Sequence, residues 1–335
     1  MDFIFTCQKI STKLAIQELE LKDKSFNFIK WLDEGVGLAR TNFSSCEFKE
    51  FVIKTPVIFI RHIFKVDSVL SLKSNWKHKI LQLSKKNLIK DKTFSIQLRH
   101  SKNTEFETTN LANELSSKIE DYSFVLDIKD SNQVVSIYLD SEDIYFGIDN
   151  VENNLSKFKG GVPHYLEQED FISRAEFKMV EALDCFNINT ANLKDGADFG
   201  AAPGGWTKVL AQKGINMVAI DPAQMNPKVT KLNNVTHKRM TIQEYFFNHN
   251  DKRFDIIVND MKMDVKKSVN LTMNFYDKLN TNGIVIMTFK LPKDFTLKTI
   301  HFNLALLLKK FNLITARQLF YNRSEITVAV QKKDI

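Results

Sequence analysis

The densest chemistry in the chain lies in Asp198-Phe199-Gly200-Ala201-Ala202-Pro203-Gly204-Gly205-Trp206. An acid at the end of an apolar run, a glycine-rich turn and then a helical pattern over 207–213 is the layout of a nucleotide-binding crevice in an open α/β sheet. Gly200, Gly204 and Gly205 lack a Cβ, so the backbone there can turn sharply and approach a ligand. The spacing is not the G-x-G-x-x-G of a dinucleotide site, and no Gly-Lys-Ser/Thr follows to cradle phosphates. A leading acid with this turn suits a ligand that carries an amino-acid moiety and a ribose but no phosphate, which describes S-adenosylmethionine. Asp198, Gly200, Ala201, Pro203, Gly204, Gly205 and Trp206 are the residues expected to hold it. Asp221 ends the next apolar strand, roughly 20 residues on, where a carboxylate accepts hydrogen bonds from ribose hydroxyls. Two later strands end in Asn259-Asp260 and Phe289-Lys290. The carboxyl ends of strands border the crevice in such sheets, so Asp198, Asp221, Asp260 and Lys290 should converge on one cleft, with Asp260 also expected to contact the cofactor. Lys290 closes the apolar run Ile284-Val285-Ile286-Met287-Thr288-Phe289, where the plain alternative is a snorkelling cap. Glu325, in the turn Asn322-Arg323-Ser324-Glu325, would by itself be an ordinary turn acid.

The elements that must position these residues alternate. After a helix near 174–186, strands are expected near 197–199, 217–220, 235–238, 255–258, 284–288, 313–319 and 326–331. Helices are expected between them near 207–213, 242–248, 268–279 and 297–311. Several strands are apolar throughout, as buried parallel strands are. The pattern predicts a doubly wound, Rossmann-like sheet of about seven strands, with the last two as its antiparallel edge. Upstream, 1–65 reads as a small α/β unit with strands at 1–7, 35–39 and 57–64 and helices at 11–21 and 48–52. The stretch 66–90 turns basic. Lys73, Lys77, Lys79, Lys85, Lys86 and Lys90 alternate with Leu70, Leu72, Trp76, Ile80, Leu81 and Leu83, as in an amphipathic helix whose basic face is either solvated or turned to nucleic acid. Strands at 92–98, 124–127, 133–139 and 144–148, with a helix at 107–119, make an α+β module. Lys157-Phe158-Lys159-Gly160-Gly161-Val162-Pro163 reads as a linker. The domain boundaries expected are 1–65, 66–155 and 156–335.

Composition sets the outer bounds. The 335 residues are 43% hydrophobic and 26% charged, which allows a sizeable core. The net charge of +7 fits a polyanionic partner. Cys7, Cys46 and Cys185 lie far apart without C-x-x-C spacing, which argues against a zinc site or a disulfide framework and makes the reducing cytoplasm the expected compartment. The first residues lack the features of a signal peptide. No run approaches the ~20 apolar residues of a membrane span.

Five segments occur in a telling order: Ser173-Arg174-Ala175-Glu176-Phe177-Lys178, the glycine turn, Asn259-Asp260, Phe289-Lys290-Leu291-Pro292 and Arg323-Ser324-Glu325-Ile326-Thr327. Over about 160–332 the chain thereby resembles the FtsJ-like ribose 2'-O-methyltransferases. The Lys-Leu-Pro and Ala316-Arg317-Gln318-Leu319 look closest to the RlmM type, which acts on large-subunit ribosomal RNA. The resemblance implies a catalytic Lys-Asp-Lys-Glu tetrad at Lys178, Asp260, Lys290 and Glu325, with Lys290 as general base. It also implies a front half made of ferredoxin-like and THUMP-like RNA-binding domains, at 1–65 and 66–155. Where the family often has an acid that contacts adenine, this chain has Met240-Thr241, which leaves Thr241 as the expected cofactor contact. In such a tetrad a lysine becomes a base when a cationic neighbour or burial lowers its pKa, and Lys178 beside Lys290 would do so. No metal is needed. No Asn/Asp-Pro-Pro-Tyr/Phe follows the fourth strand and no cysteine follows Cys185, so methylation of exocyclic amines or of cytosine C5 is not expected. The same chemistry on tRNA, or an RNA-binding protein with a silent methyltransferase fold, are the alternatives.

Overall fold

A computed structural model describes residues 1–166, 171–292 and 294–334. It divides into two units, Met1–Pro163 and His164–Ile335.

In the first unit, β1 (Asp2–Thr6), α1 (Thr12–Lys22), β2 (Asn27–Asp33), β3 (Val36–Arg40), α2 (Ser45–Lys54) and β4 (His62–Val66) follow one another as βαββαβ. The strands form an antiparallel sheet in the order β2-β3-β1-β4. A second sheet, in the order β5-β8-β7-β6, is built from β5 (Ser68–Ser71), β6 (Phe94–His100), β7 (Gln133–Leu139) and β8 (Asp143–Asn150). Helices α3 (Trp76–Asn87) and α4 (Thr108–Glu120) bury Ile80, Leu81, Leu115 and Ile119 against it. Ile4, Leu38 and Phe64 of the first sheet cluster with Tyr138 and Tyr145 of the second. The sheets come so close at Gly147 that a Cβ there would stand 1.9 Å from the Lys65 carbonyl oxygen.

Several local expectations change here. β2 lies at 27–33, where no strand was expected, and β5 opens the stretch read as helical from 66. Residues 124–127 form only an isolated bridge, Leu126 to Phe94. The strand expected over 57–64 is shifted to His62–Val66. The stretch 157–163 is tied down at both sheets rather than free: Thr6 Oγ1 donates to the Gly160 carbonyl and Gln97 Nε2 to that of Lys157, each at 2.9 Å. On the basic helix, Lys77 pairs with Glu114 at 2.7 Å and Lys85 lies over the Tyr122 ring.

The second unit is one seven-stranded sheet in the order β11-β10-β9-β12-β13-β15-β14. Its strands are β9 (Asp195–Phe199), β10 (Asn216–Ile220), β11 (Val235–Lys238), β12 (Phe254–Asn259), β13 (Leu279–Lys290), β14 (Phe311–Arg317) and β15 (Glu325–Lys332). The helices are α5 (Ala175–Cys185), α6 (Gly205–Gln212), α7 (Pro227–Thr230), α8 (Ile242–Asn248), α9 (Val265–Asn274) and α10 (Leu297–Leu307). β9 to β13 pair in parallel, and their apolar runs are buried, as at Ile256, Ile257, Val258, Val285, Ile286 and Met287. The chain starts at β9 and reverses its direction of travel at β12, which opens a crevice above the carboxyl ends of those two strands. The last two strands form the antiparallel edge of the sheet, as expected: β15 is antiparallel to both β13 and β14, and β14 is outermost. This direction carries the first residue of β15 to the carboxyl end of β13, so Lys290 and Glu325 are register partners.

Candidate active site

The glycine turn leaves β9 at Asp198-Phe199 and enters α6 at Gly205. The Gly200 N–H donates to the Ile220 carbonyl at 2.9 Å, which joins the turn to β10. Gly200 and Gly204 take φ of +70° and +112°, a region that favours glycine. A Cβ would also stand 2.2 Å from Met261 Cγ at Gly200, and 2.7 Å from Met225 Cε at Gly204. Asp221 fastens the turn from the next strand, accepting from the Ala202 N–H at 3.0 Å and the Ala223 N–H at 2.7 Å.

Asp198 is 2% exposed and accepts from Thr207 Oγ1 at 2.7 Å. Burial pushes its carboxyl up to about 7 despite the Thr207 hydrogen bond, and the charges of Asp260 and Asp221 push the same way. A cationic ligand group is what such a set of carboxylates accommodates. The residues therefore fit S-adenosylmethionine, whose ammonium and sulfonium are positive, with Asp198 and Asp221 as acceptors and the glycine backbone as the cradle.

This has a pH consequence. In the ligand-free protein the folded carboxyl holds its proton up to about 7, whereas an unfolded one loses it near 3.8. Between those values the native state binds more protons, so stability falls as pH rises and levels off above about 7. Asp198→Asn should remove that slope, leaving the variant relatively more stable at about pH 8 than at about pH 5. Wild-type affinity for S-adenosylmethionine should rise as pH passes through about 7, and the variant's should not. Thermal melts and calorimetric titrations at the two pH values check both. A wild-type stability slope matching the variant's would contradict the assignment.

Trp206 and Thr241 have other local duties than the cofactor contacts expected of them. The Trp206 indole is 3% exposed and packs in the core with Met179, Ala182 and Leu210, so its side chain contributes packing beneath the turn. Thr241 is the N-cap of α8, in a reciprocal capping box with Glu244: its hydroxyl donates to Glu244 Oε2 at 2.8 Å and accepts the Glu244 N–H at 3.2 Å. That donor is already committed.

Four charged side chains close into a ring beside the turn. Lys178 Nζ, on α5, lies 2.8 Å from Asp260 Oδ2 and 2.8 Å from Glu325 Oε1. Lys290 Nζ, at the end of β13, bonds to Asp260 Oδ1 and Glu325 Oε2. Thr288 Oγ1 adds a hydrogen bond to Asp260 at 2.7 Å. Burial works against the Lys178 charge, but Asp260 and Glu325 outweigh it and hold the amine above the usual lysine range. Burial also opposes ionised Asp260, and Lys178 with Lys290 outweighs it, holding that carboxyl below its usual range. Lys178 thus keeps its charge between the two carboxylates.

Two further acids support the ring, and the sequence reading passed over both. Glu176, in the first turn of α5, accepts the Ile172 and Ser173 N–H groups and pairs with Lys208 of α6 at 3.0 Å. Glu181 accepts the Phe320 and Tyr321 N–H groups at 2.6 and 2.9 Å, fixing the loop that leads to Glu325. α5 therefore presents Lys178 and anchors the approach to Glu325. Acids on a helix give no local sign of such partners, although both are buried.

Residues 171–321 match the family model of FtsJ-like methyltransferases. The matched stretch lies within the second unit, and S-adenosylmethionine is the cofactor. Among curated proteins, the chain is 29% identical over 206 residues to ribosomal RNA large subunit methyltransferase M of Psychromonas ingrahamii, covering 58% of this chain and 55% of that one. It is 31% identical over 197 residues to the protein of the same name from Yersinia enterocolitica, covering 54% and 51%. An uncharacterised protein of Methanocaldococcus jannaschii is 31% identical over 141 residues, covering 42% and 39%. The chain thus spans about half the length, or less, of these relatives. Among solved structures, TrmN from Thermus thermophilus superposes over 99% of this chain and 100% of its own, with a TM-score of 0.40 and 12% identity.

Proposed function

We propose that this protein is an S-adenosylmethionine-dependent RNA ribose 2'-O-methyltransferase that acts on large-subunit ribosomal RNA. The observation that carries the reading is the ring of Lys178, Asp260, Lys290 and Glu325 beside the glycine turn. The cofactor, when bound, supplies an electrophilic methyl group on a sulfonium. The chain's task is then to prepare a ribose hydroxyl, a poor nucleophile at neutral pH.

Lys290 is the base. A neutral amine bonded to Asp260 and Glu325 through its two N–H groups keeps one lone pair for the hydroxyl proton. Lys178 stays cationic between the same carboxylates and offsets their charge. Lys290 is also the more open of the two amines, with its side chain 22% exposed against 14% for Lys178. Asp260 and Glu325 fix both amines, so orientation of the hydroxyl supplies much of the rate. The two sheets of the first unit are read as ferredoxin-like and THUMP-like modules that grip RNA through phosphates and shape.

The relatives' printed name supports large-subunit rRNA as the substrate. The experiment that tests the reading compares ribose methylation in RNA from cells with and without the gene. Loss of a 2'-O-methyl group from large-subunit rRNA is expected.

A further inference from the structure

Where the two sheets of the first unit face each other, an apolar half gives way to a polar one. Side chains alternate along a strand, so residues that share a face with Ile4, Phe64 and Tyr138 of the packed cluster also point between the sheets. On the first sheet these are Thr6 and its register partner His62. On the second they are Gln97 and Arg99 of β6, with their partners Ser136 and Tyr138 of β7. His62 is 2% exposed and Ser136 3%. Both ring nitrogens of His62, Gln97 Oε1 and Ser136 Oγ are buried and meet no hydrogen-bond partner among the described residues. Gln97 stands beside the His62 ring but outside hydrogen-bond geometry. Native cores satisfy nearly all such atoms, so this group in one seam points to a partner from outside the chain.

The charge of the seam says what that partner is. The Arg99 guanidinium lies over the Tyr138 ring, 5.9 Å from its centroid, and against Gly160, where a Cβ would stand 2.5 Å from the guanidinium carbon. It makes no hydrogen bond or ion pair among the described residues, so the N–H donors of its fork are uncommitted. Asp33, the acid whose charge reaches it, accepts the Glu34 and Lys102 N–H groups instead, at 2.7 and 2.9 Å. Lys159, on the stretch that is tied to both sheets, adds a second cation. Partial burial and then the charge of Arg99 hold its amine below the usual lysine range, which places the two cations within reach of each other. Burial, then the Arg99 charge, push the His62 imidazole down to about 3, so it is neutral and offers one N–H. A water would satisfy His62 but would leave two like charges together without a counter-charge.

We infer that this seam is a binding site for one phosphate group, held by Arg99 and Lys159 with His62 and Gln97 as the polar wall behind it. A guanidinium presents the planar fork that matches phosphate oxygens. Free phosphate and the terminal phosphate of an RNA strand share this chemistry. The site does not depend on the ribose chemistry proposed above.

The test compares the melting temperature of the full chain in phosphate and in chloride at matched ionic strength, beside calorimetric titration of inorganic phosphate. Phosphate should raise the wild-type melting temperature above that in chloride. Arg99→Met, which keeps an apolar stem over Tyr138, should weaken phosphate binding about 10- to 100-fold, and Lys159→Met about 2- to 5-fold. Lys86→Met, which removes an exposed lysine of the basic helix, should leave it unchanged. The source is read by fluorescence anisotropy with short RNAs that end in a 5'-phosphate, in a 3'-phosphate or in hydroxyls only. A preference for one terminal phosphate, reduced in Arg99→Met and Lys159→Met, assigns the site to an RNA end. RNAs bound alike by a protein that binds inorganic phosphate assign it to the free ion. A wild type that gains nothing from inorganic or terminal phosphate would overturn the site, as would equal binding by wild type and Lys159→Met, or an equal loss in Lys86→Met. If Arg99→Met fails to fold, Lys159→Met and the Lys86 control still decide. Neither readout uses methyl transfer, so phosphate binding here by a protein that methylates no RNA would sink the proposed activity and leave the site standing.

Discussion

Lys290→Ala should lower the rate of methyl transfer by about 10³-fold, within the 10²–10⁴ range that a positioned general base contributes. Affinity for S-adenosylmethionine should stay within about twofold, because the carboxylates and glycine backbone that fit the cofactor lie on β9, β10 and the turn between them. Lys290→Arg should not restore the rate: a guanidinium keeps its charge at any workable pH and cannot take up the hydroxyl proton. Single-turnover rates with cofactor in excess, set beside calorimetric titration of the cofactor alone, separate chemistry from binding. A Lys290→Ala protein within about tenfold of wild type would remove Lys290 from the role of base.

Lys208→Ala should cost about 3–5 kcal/mol of stability in the second unit, the range for breaking one side of a buried ion pair. The Lys208 side chain is 2% exposed and that of Glu176 9%, and Glu176 also accepts two N–H groups at the start of α5. Truncating the lysine leaves that carboxylate buried without its cation. The double variant Lys208→Met with Glu176→Gln should recover most of the loss, because a neutral amide can still accept from the backbone. Urea denaturation followed through Trp206, the one tryptophan of the second unit, reports the transition. A loss below about 1 kcal/mol would mean that water or another cation reaches Glu176.

How far the sequence revealed the site follows from what local pattern encodes. Asp198, Asp221, Asp260 and Lys290 were legible because each ends an apolar strand, and strand ends in a parallel sheet share one edge. Glu325 was legible only through family resemblance. Its place depends on β15 running antiparallel between β13 and β14, and no property of the segment 325–332 states its neighbours. Lys178 was likewise legible only through that resemblance: a lysine on a helix is ordinarily solvated, and only the packing of α5 turns it toward Asp260. Glu176 and Glu181 satisfy backbone N–H groups that are distant or preceding in the chain, which composition does not show.

The first unit contrasts with this. β2 escaped because it is an edge strand with two register shifts and a mostly accessible surface, so Asn27-Phe28-Ile29-Lys30-Trp31-Leu32-Asp33 carries no clean alternation. Thr241 had a local signal that was missed. Thr241-Ile242-Gln243-Glu244 is a capping box, a pattern with a mechanism of its own, and it accounts for the hydroxyl without any ligand.

The claim that the catalytic ring serves ribose chemistry is tested most directly by mapping 2'-O-methyl groups at nucleotide resolution on total RNA, with and without the gene. A methylated 2'-oxygen cannot attack the neighbouring phosphate, so a modified position resists alkaline cleavage and an unmodified one does not. The account predicts that one protected position in large-subunit rRNA becomes cleavable when the gene is removed and is protected again when the wild-type gene, but not Lys290→Ala, is restored. Ribose protection unchanged at every position, with a methyl group lost instead from a base, would contradict it.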